Sequence, residues 1–176
     1  VTSTHGDGGT ITISGDTVVD LYGTFHAIGG TSAGPYPGPS SYGGSIVVSG
    51  NTVTLHDGSD FQAVGAGGGG QLSTTADTLL SVQGLASVQA GIWYLGGTEG
   101  WIVPSASVGA YSNGIVVADQ ALGTAVGLDT SISVVADPSM HAGPGSGQIT
   151  FVDTASITAA PSSFGGLDLK ATQGIY

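Results

Sequence analysis

The pattern closest to a catalytic motif is Gly30-Thr31-Ser32-Ala33-Gly34, which matches the nucleophile-elbow pattern GxSxG. A nucleophilic Ser in this pattern needs a strand before it and a helix after it, because the strained turn exposes its hydroxyl beside an oxyanion hole. The segment that follows, GPYPGPSSY, is too rich in Pro and Gly to form that helix. We therefore expect no catalytic residues and no enzymatic activity.

The residues that could bind a metal are equally sparse. The four His (His5, His26, His56 and His141) are scattered singly, so each is expected to be a polar turn residue. Asp57 and Asp60 are the best local pair of carboxylates and the weak candidates for calcium, which prefers oxygen ligands. The tandem GGxGxD nonapeptides of a calcium β-roll do not occur in this sequence. No cofactor is expected, and calcium stays a minor alternative.

The aromatic residues Trp93, Tyr94 and Trp101 are the candidate ligand-binding residues. Flat aromatic faces beside polar groups are suited to stacking on sugar rings, so this region is the candidate carbohydrate site. The competing interpretation is that both Trp fill the core, where their large apolar area stabilises the fold.

Charge excludes several classes of partner. The chain has 176 residues and a net charge of −11, with Lys170 as the single Lys or Arg. A protein that binds nucleic acid or anionic lipid neutralises phosphates with Lys and Arg, so neither partner is expected. No apolar run is long enough to insert into a membrane. One possible trypsin site, after Lys170, suits a protein that lives among proteases, and we expect an extracellular or cell-surface location.

The elements that would position these residues are repeated strands. GGTITISGDTVVDLYG (8–23) and GGSIVVSGNTVTLHDG (43–58) share both leading Gly, the Ile, the Ser-Gly, the Thr-Val and the final Gly at an offset of 35 residues. GGQLSTTADTLLSVQG (69–84) follows 26 residues later with the same spacing of Gly and Asp-Thr. Apolar and polar residues alternate in each unit, which indicates half-buried strands.

Repetition predicts stacking, because one unit cannot cover its own apolar face. We predict an all-β protein, a right-handed parallel β-helix (β-solenoid) of about five to seven coils, with an antiparallel β-sandwich as the alternative. Residues 1–176 would form one domain, with a loop insertion at 34–42 and an aromatic hairpin at 92–103.

The segment 43–70, GGSIVVSGNTVTLHDGSDFQAVGAGGGG, resembles the repeats of filamentous-haemagglutinin-like exoproteins, which bacteria secrete by the two-partner route. The resemblance rests on the Gly pair, the Ile, Val and Leu at alternate positions, Asp57-Gly58, Ala63 and the terminal glycines. It implies a right-handed β-helix and a role in surface adhesion or fibre formation.

The ends of such a stack would present unpaired strand edges. Head-to-tail contacts that do not close into a ring form filaments. The expected function is therefore a non-catalytic structural protein, a segment of a cell-surface fibre or adhesin whose partners are copies of itself. The alternative is a carbohydrate-binding module that uses the Trp93 and Trp101 region to bind surface glycans.

Overall fold

A computed structural model describes residues 6–30, 41–141, 143, 145–160 and 163–176 of the chain. Most of these residues lie in strands, which confirms the all-β prediction. The elements in chain order are β1 (Thr10–Leu21), β2 (Thr24–His26), β3 (Ser45–Leu55), β4 (Asp60–Ala63), β5 (Gln71–Val82), β6 (Ser87–Ala90), β7 (Ile92–Gly97), β8 (Gly100–Val103), a 3₁₀ helix (Ser105–Ala110), β9 (Gly114–Ala118), α1 (Asp119–Gly127), β10 (Ser131–Ala136), β11 (Gln148–Phe151), β12 (Gly166–Ala171) and β13 (Gly174–Ile175).

Every strand pair in the described part of the chain is parallel. One sheet contains ten strands, and the other has the order β2-β4-β6. Ile11 of β1 lies opposite Ile46 of β3, and Ile46 lies opposite Leu72 of β5, so the sequence repeat is also the strand register. The alternative of an antiparallel sandwich is wrong, since long connections return each strand in the same direction.

The predicted register holds only as far as a bulge in the long strands. Gly15 pairs with Gly50, but the next pair is Val18 with Thr52, so β1 has one extra residue at this point. Between β3 and β5 the extra residue lies in β5, since Gly50 pairs with Ala76 and Thr52 with Leu79. We call the residues before the bulge the leading half of each long strand and those after it the trailing half. The shorter strands that continue the leading half across the sheet are β7, β10 and β12, and those that continue the trailing half are β9, β8, β11 and β13. The aligned turn signals of the sequence are therefore bulges within continuous strands.

Inward-facing residues form rows that cross the sheet from strand to strand. One row of the leading half joins Ile11, Ile46, Leu72, Trp93, Ile132 and Leu167. One row of the trailing half joins Val19, Val53, Leu80, Ile115, Gly100, Ile149 and Ile175. The inner members of both rows are buried, with Ile46, Trp93 and Leu80 fully so. The core is therefore a column that runs across the strands.

The predicted aromatic hairpin does not form. β7 pairs with β5 and β10, while β8 pairs with β9 and β11, all in parallel. The chain between them, Thr98 and Glu99, does not reverse its direction. Instead, the chain continues in the same direction into β8, which lies between β9 and β11. The loop insertion predicted at 34–42 lies largely outside the described residues, which resume at Ser41.

Helix α1 was not predicted from the sequence. It buries Ala121, Leu122 and Ala125 and packs on β6. After the helix, the Thr130 hydroxyl accepts a hydrogen bond from the Ala90 N–H (3.0 Å) and donates to the Val88 carbonyl (3.2 Å). Thr130 thus satisfies backbone groups of β6 where another strand would otherwise pair. No helix of the described residues is long and apolar enough to span a membrane.

Glycine pairs before the long strands allow neighbouring turns of the chain to touch. A Cβ on Gly44 would overlap the carbonyl oxygen of Gly9, and one on Gly70 would overlap that of Gly44. The same backbone groups form hydrogen bonds between successive units, such as Gln71 N–H to Gly44 O at 3.0 Å. Only glycine fits this contact, because the neighbour is backbone and cannot move aside.

The Gly70→Ala variant is expected to lose about 3 kcal/mol of unfolding free energy, the upper end of the cost of overpacking. Gly109→Ala is the matched control, because a Cβ at Gly109 would meet no atom within 4 Å. Urea unfolding followed by circular dichroism measures both variants. Equal stability of the two would contradict the backbone contact at Gly70.

Candidate functional site

Trp93, the first predicted carbohydrate-binding residue, lies in the core. Its side chain is 0% exposed, and its indole Nε1 donates to Thr74 Oγ1 at 3.1 Å. The Thr74 hydroxyl donates in turn to the Tyr94 carbonyl at 3.2 Å. A buried indole whose polar atom is satisfied within the protein cannot stack on a sugar. The core interpretation is therefore the one that the structure supports for Trp93.

Tyr94 and Trp101 face outward but lie on different strands. Tyr94 occupies the leading half beside Ser73 and Ser133. Partial burial raises the pKa of its phenol, the charge of Asp137 raises it further, and Lys170 lowers it. Trp101 lies in the trailing half and stacks on Tyr111, with ring centroids 5.1 Å apart. The three predicted residues therefore do not form one platform.

The predicted calcium ligands Asp57 and Asp60 are bonded to different protein groups. Asp57 Oδ1 accepts from the Leu85 N–H at 2.8 Å. Asp60 Oδ2 accepts from Gln62 Nε2 at 2.9 Å and lies 3.0 Å from His26 Nε2. In the part of the chain that the structure describes, no three His, Cys, Asp or Glu residues are grouped as metal ligands.

Two His–Asp pairs join the first repeat unit to the second. His26 pairs with Asp60, and His56 Nε2 lies 3.1 Å from Asp20 Oδ1. Tyr22 stacks on the His56 ring with centroids 3.9 Å apart. Sequence reasoning missed both pairs, because the partners are 34 and 36 residues apart and meet only through the strand register. The pairs therefore link adjacent units to each other on the outside of the protein.

A polar groove follows the bulges of β1, β3 and β5 and has a volume of about 340 Å³. Its lining side chains include Asp16, Asn51 and Asp77, and the Thr78 hydroxyl donates to Asn51 Oδ1 at 2.6 Å. The described lining contains hydroxyls, carboxylates and a carboxamide without a Lys or His. Such a surface can form hydrogen bonds with a ligand.

The two ends of the stack expose parallel strand edges, and they are the candidate functional site. Among the described residues, β1 pairs only with β3, β12 only with β10 and β13 only with β11. The row residues Ile11 and Leu167 are only partly buried at the two ends, whereas their partners inside the stack are fully buried. The ends thus expose both hydrogen-bonding backbone and apolar side chains.

Exposed aromatic and aliphatic residues also lie near these ends. Val18 of β1 is 57% exposed and Tyr22, which follows β1, is 65% exposed. Phe164, before β12, is 91% exposed, and Tyr176, after β13, is 67% exposed. Comparison with known proteins finds no matching family model, curated protein or solved structure. The geometry of the ends is therefore the main guide to function.

The contrast between the two Trp residues generates a stability prediction. Trp93→Ala is expected to lose about 3–5 kcal/mol of unfolding free energy, because it empties a buried site, as for other large core residues. Trp101→Ala is the matched control and is expected to lose less, since its side chain is half-buried on the outer face. Chemical denaturation checks both, and a loss that is greater for Trp101 would contradict this assignment.

Proposed function

We propose that this chain is a right-handed parallel β-helix that serves as a non-catalytic structural protein. The rows of inward residues support a β-solenoid, since each row continues through successive strands in one register. Right-handed crossover is nearly universal for parallel strands joined within one sheet, which supports the handedness. The resemblance of residues 43–70 to filamentous-haemagglutinin-like repeats is consistent with the same architecture.

The proposed role is a subunit or segment of an extracellular fibre or adhesin that associates end to end with copies of itself. The observation that carries it is the pair of open parallel edges, each with half-buried apolar residues of the core column. An edge of this kind is a template for another strand. Low lysine and arginine content is in keeping with an extracellular location, where trypsin-like proteases act.

The carbohydrate-binding alternative is less well supported. It relied on Trp93, which is buried, and on the nearby polar residues Thr98 and Glu99, which are 1% and 8% exposed. Glu99 accepts hydrogen bonds from Asn113 and Ser146, so its carboxylate is already engaged. Trp101 and Tyr111 keep an outward stacked pair, and both side chains are half-buried.

Self-association is expected to depend on the apolar residues at the open edge of β1. Wild-type protein should form species at multiples of 17.1 kDa as concentration rises, and more so with added salt, because salt screens the charge of −11. Ile13→Lys should remove this association, because it places a charge in the exposed end of the column. Sedimentation velocity and negative-stain electron microscopy, with and without calcium, measure the effect.

The matched control is Ser73→Lys, which adds the same charge on the outer face of β5, inside the stack. It should associate as the wild type does. Circular dichroism verifies that both variants are folded. A wild-type protein that remains monomeric at every concentration and salt condition would overturn the proposed association.

A further inference from the structure

The two ends of the stack differ in shape. In the first three units, β1, β3 and β5 each contribute the leading and the trailing half of one level. From β7 onward the chain moves to the next level between the halves. β7 lies beside β5, whereas the strand that follows it, β8, lies beyond β9. β9 thus fills the position in the trailing half that this step leaves open.

The same step recurs in the rest of the chain and reaches the end of the stack. β12 is the outermost strand of the leading half, and β13 lies one level beyond it in the trailing half. The end formed by β1 is therefore flat, while the opposite end is stepped. Ile175 of β13 takes the next place in the row of Val19, Val53, Leu80, Ile115, Gly100 and Ile149.

The edge of β12 matches the leading half of β1 from a second copy. Six residues of β12 (Gly166–Ala171) would face residues 10–15 of that copy. If the rows continue in register, Ile11 of the second copy lies over Leu167, and Ile13 lies over Leu169. Both pairs would bury apolar side chains that are partly exposed at the ends. Removing their remaining apolar surface from water favours the contact between copies.

Charge favours the same register. Row continuation places Lys170, the only Lys or Arg, over Ser14 and next to Asp16 of the second copy. In the single chain Lys170 pairs with Asp168 at 2.7 Å, with both side chains more than half exposed. An exposed pair of this kind contributes little to stability, so the ammonium is available to a second carboxylate.

The trailing half of β1 in the second copy cannot pair with the first copy at the same time. Ile175 occupies the position in the row that Val19 of the second copy would take, so β13 and residues 18–21 of that copy compete for one place. We infer that β12 binds residues 10–15 of a second copy in parallel register, and that β13 limits this contact by occupying the place of residues 18–21. The inference rests on the proposed end-to-end association.

β13 is attached weakly enough to be displaced by residues 18–21 of a second copy. It has two residues and pairs only with β11 among the described strands. Tyr176, the residue after β13, adds two hydrogen bonds to β11, from Phe151 N–H to Tyr176 O (2.8 Å) and from Tyr176 N–H to Ile149 O (2.9 Å). Gly174 has a φ of +150°, which side-chain-bearing residues rarely adopt. Substitution at Gly174 is therefore expected to weaken β13, and it changes no residue of β1 or β12.

The Gly174→Ala variant tests this role of β13. Strain at such a backbone position is enough to lower the equilibrium constant for pairing of β13 with β11 by about tenfold. Association between copies should therefore be about tenfold tighter than in the wild type. Gly109→Ala is the matched control, because it adds the same methyl group in open space away from both ends. Sedimentation equilibrium gives the association constant, and circular dichroism reports folding.

A second variant covers the possibility that Gly174→Ala does not fold. Ile175→Asn removes the apolar contact of β13 without backbone strain and without added charge, and it should also tighten association. Adding Ile13→Lys to either variant should return the protein to monomers. If the wild type associates but neither variant associates more tightly, β13 does not limit the contact and the inference is wrong. If neither the wild type nor any variant associates, the proposed function fails as well.

Discussion

The structure depends on contact between successive units of the chain. Each unit has one apolar face and only a few residues on it, so the face is buried only when the next unit lies against it. Trp93 and Ile46 are fully buried because strands lie on both sides of them, whereas Ile11 is only partly buried at the end of the same row. Parallel backbone hydrogen bonds and glycine turns hold the units close enough for this burial.

Ion pairs have a small part in holding successive units together. With one Lys and no Arg, the chain cannot build a network of salt bridges. Pairs such as His26–Asp60 and His56–Asp20 join the first unit to the second instead, and Asp57 of the second unit accepts from the Leu85 N–H of the following one. Stability therefore comes mainly from burial and backbone hydrogen bonds. The same dependence on a neighbour leaves the outermost strands incompletely satisfied, which is the physical basis for proposing that the ends bind other copies.

The sequence repeat predicted the strands of the first three units, and it predicted their register up to Gly15 and Gly50, because alternation and paired glycines are local signals. It could not predict the bulge, since Asp16-Thr17 in one unit faces the single Asn51 in the next. The hairpin prediction at 92–103 was wrong because it assumed that neighbouring apolar runs pair with each other. Helix α1 was missed because DQALGTAVG is short, has two Gly and has no side-chain cap. For the site, the open ends followed from the repeat, but the step at β13 depends on the path of the chain through β7, β8 and β9.

Disulfide cross-linking between copies tests the end-to-end contact most directly, because the chain has no Cys of its own. Thr12 and Asp168 are exposed, outward-facing members of one row, so Thr12→Cys in one copy and Asp168→Cys in another would lie on adjacent strands. Adjacent parallel strands are about 4.8 Å apart, which is within the range of a disulfide. Mixing the two single variants under oxidising conditions should give a cross-linked heterodimer in preference to either homodimer. Absence of the mixed product, or equally efficient cross-linking of Thr12→Cys with itself, would contradict head-to-tail stacking.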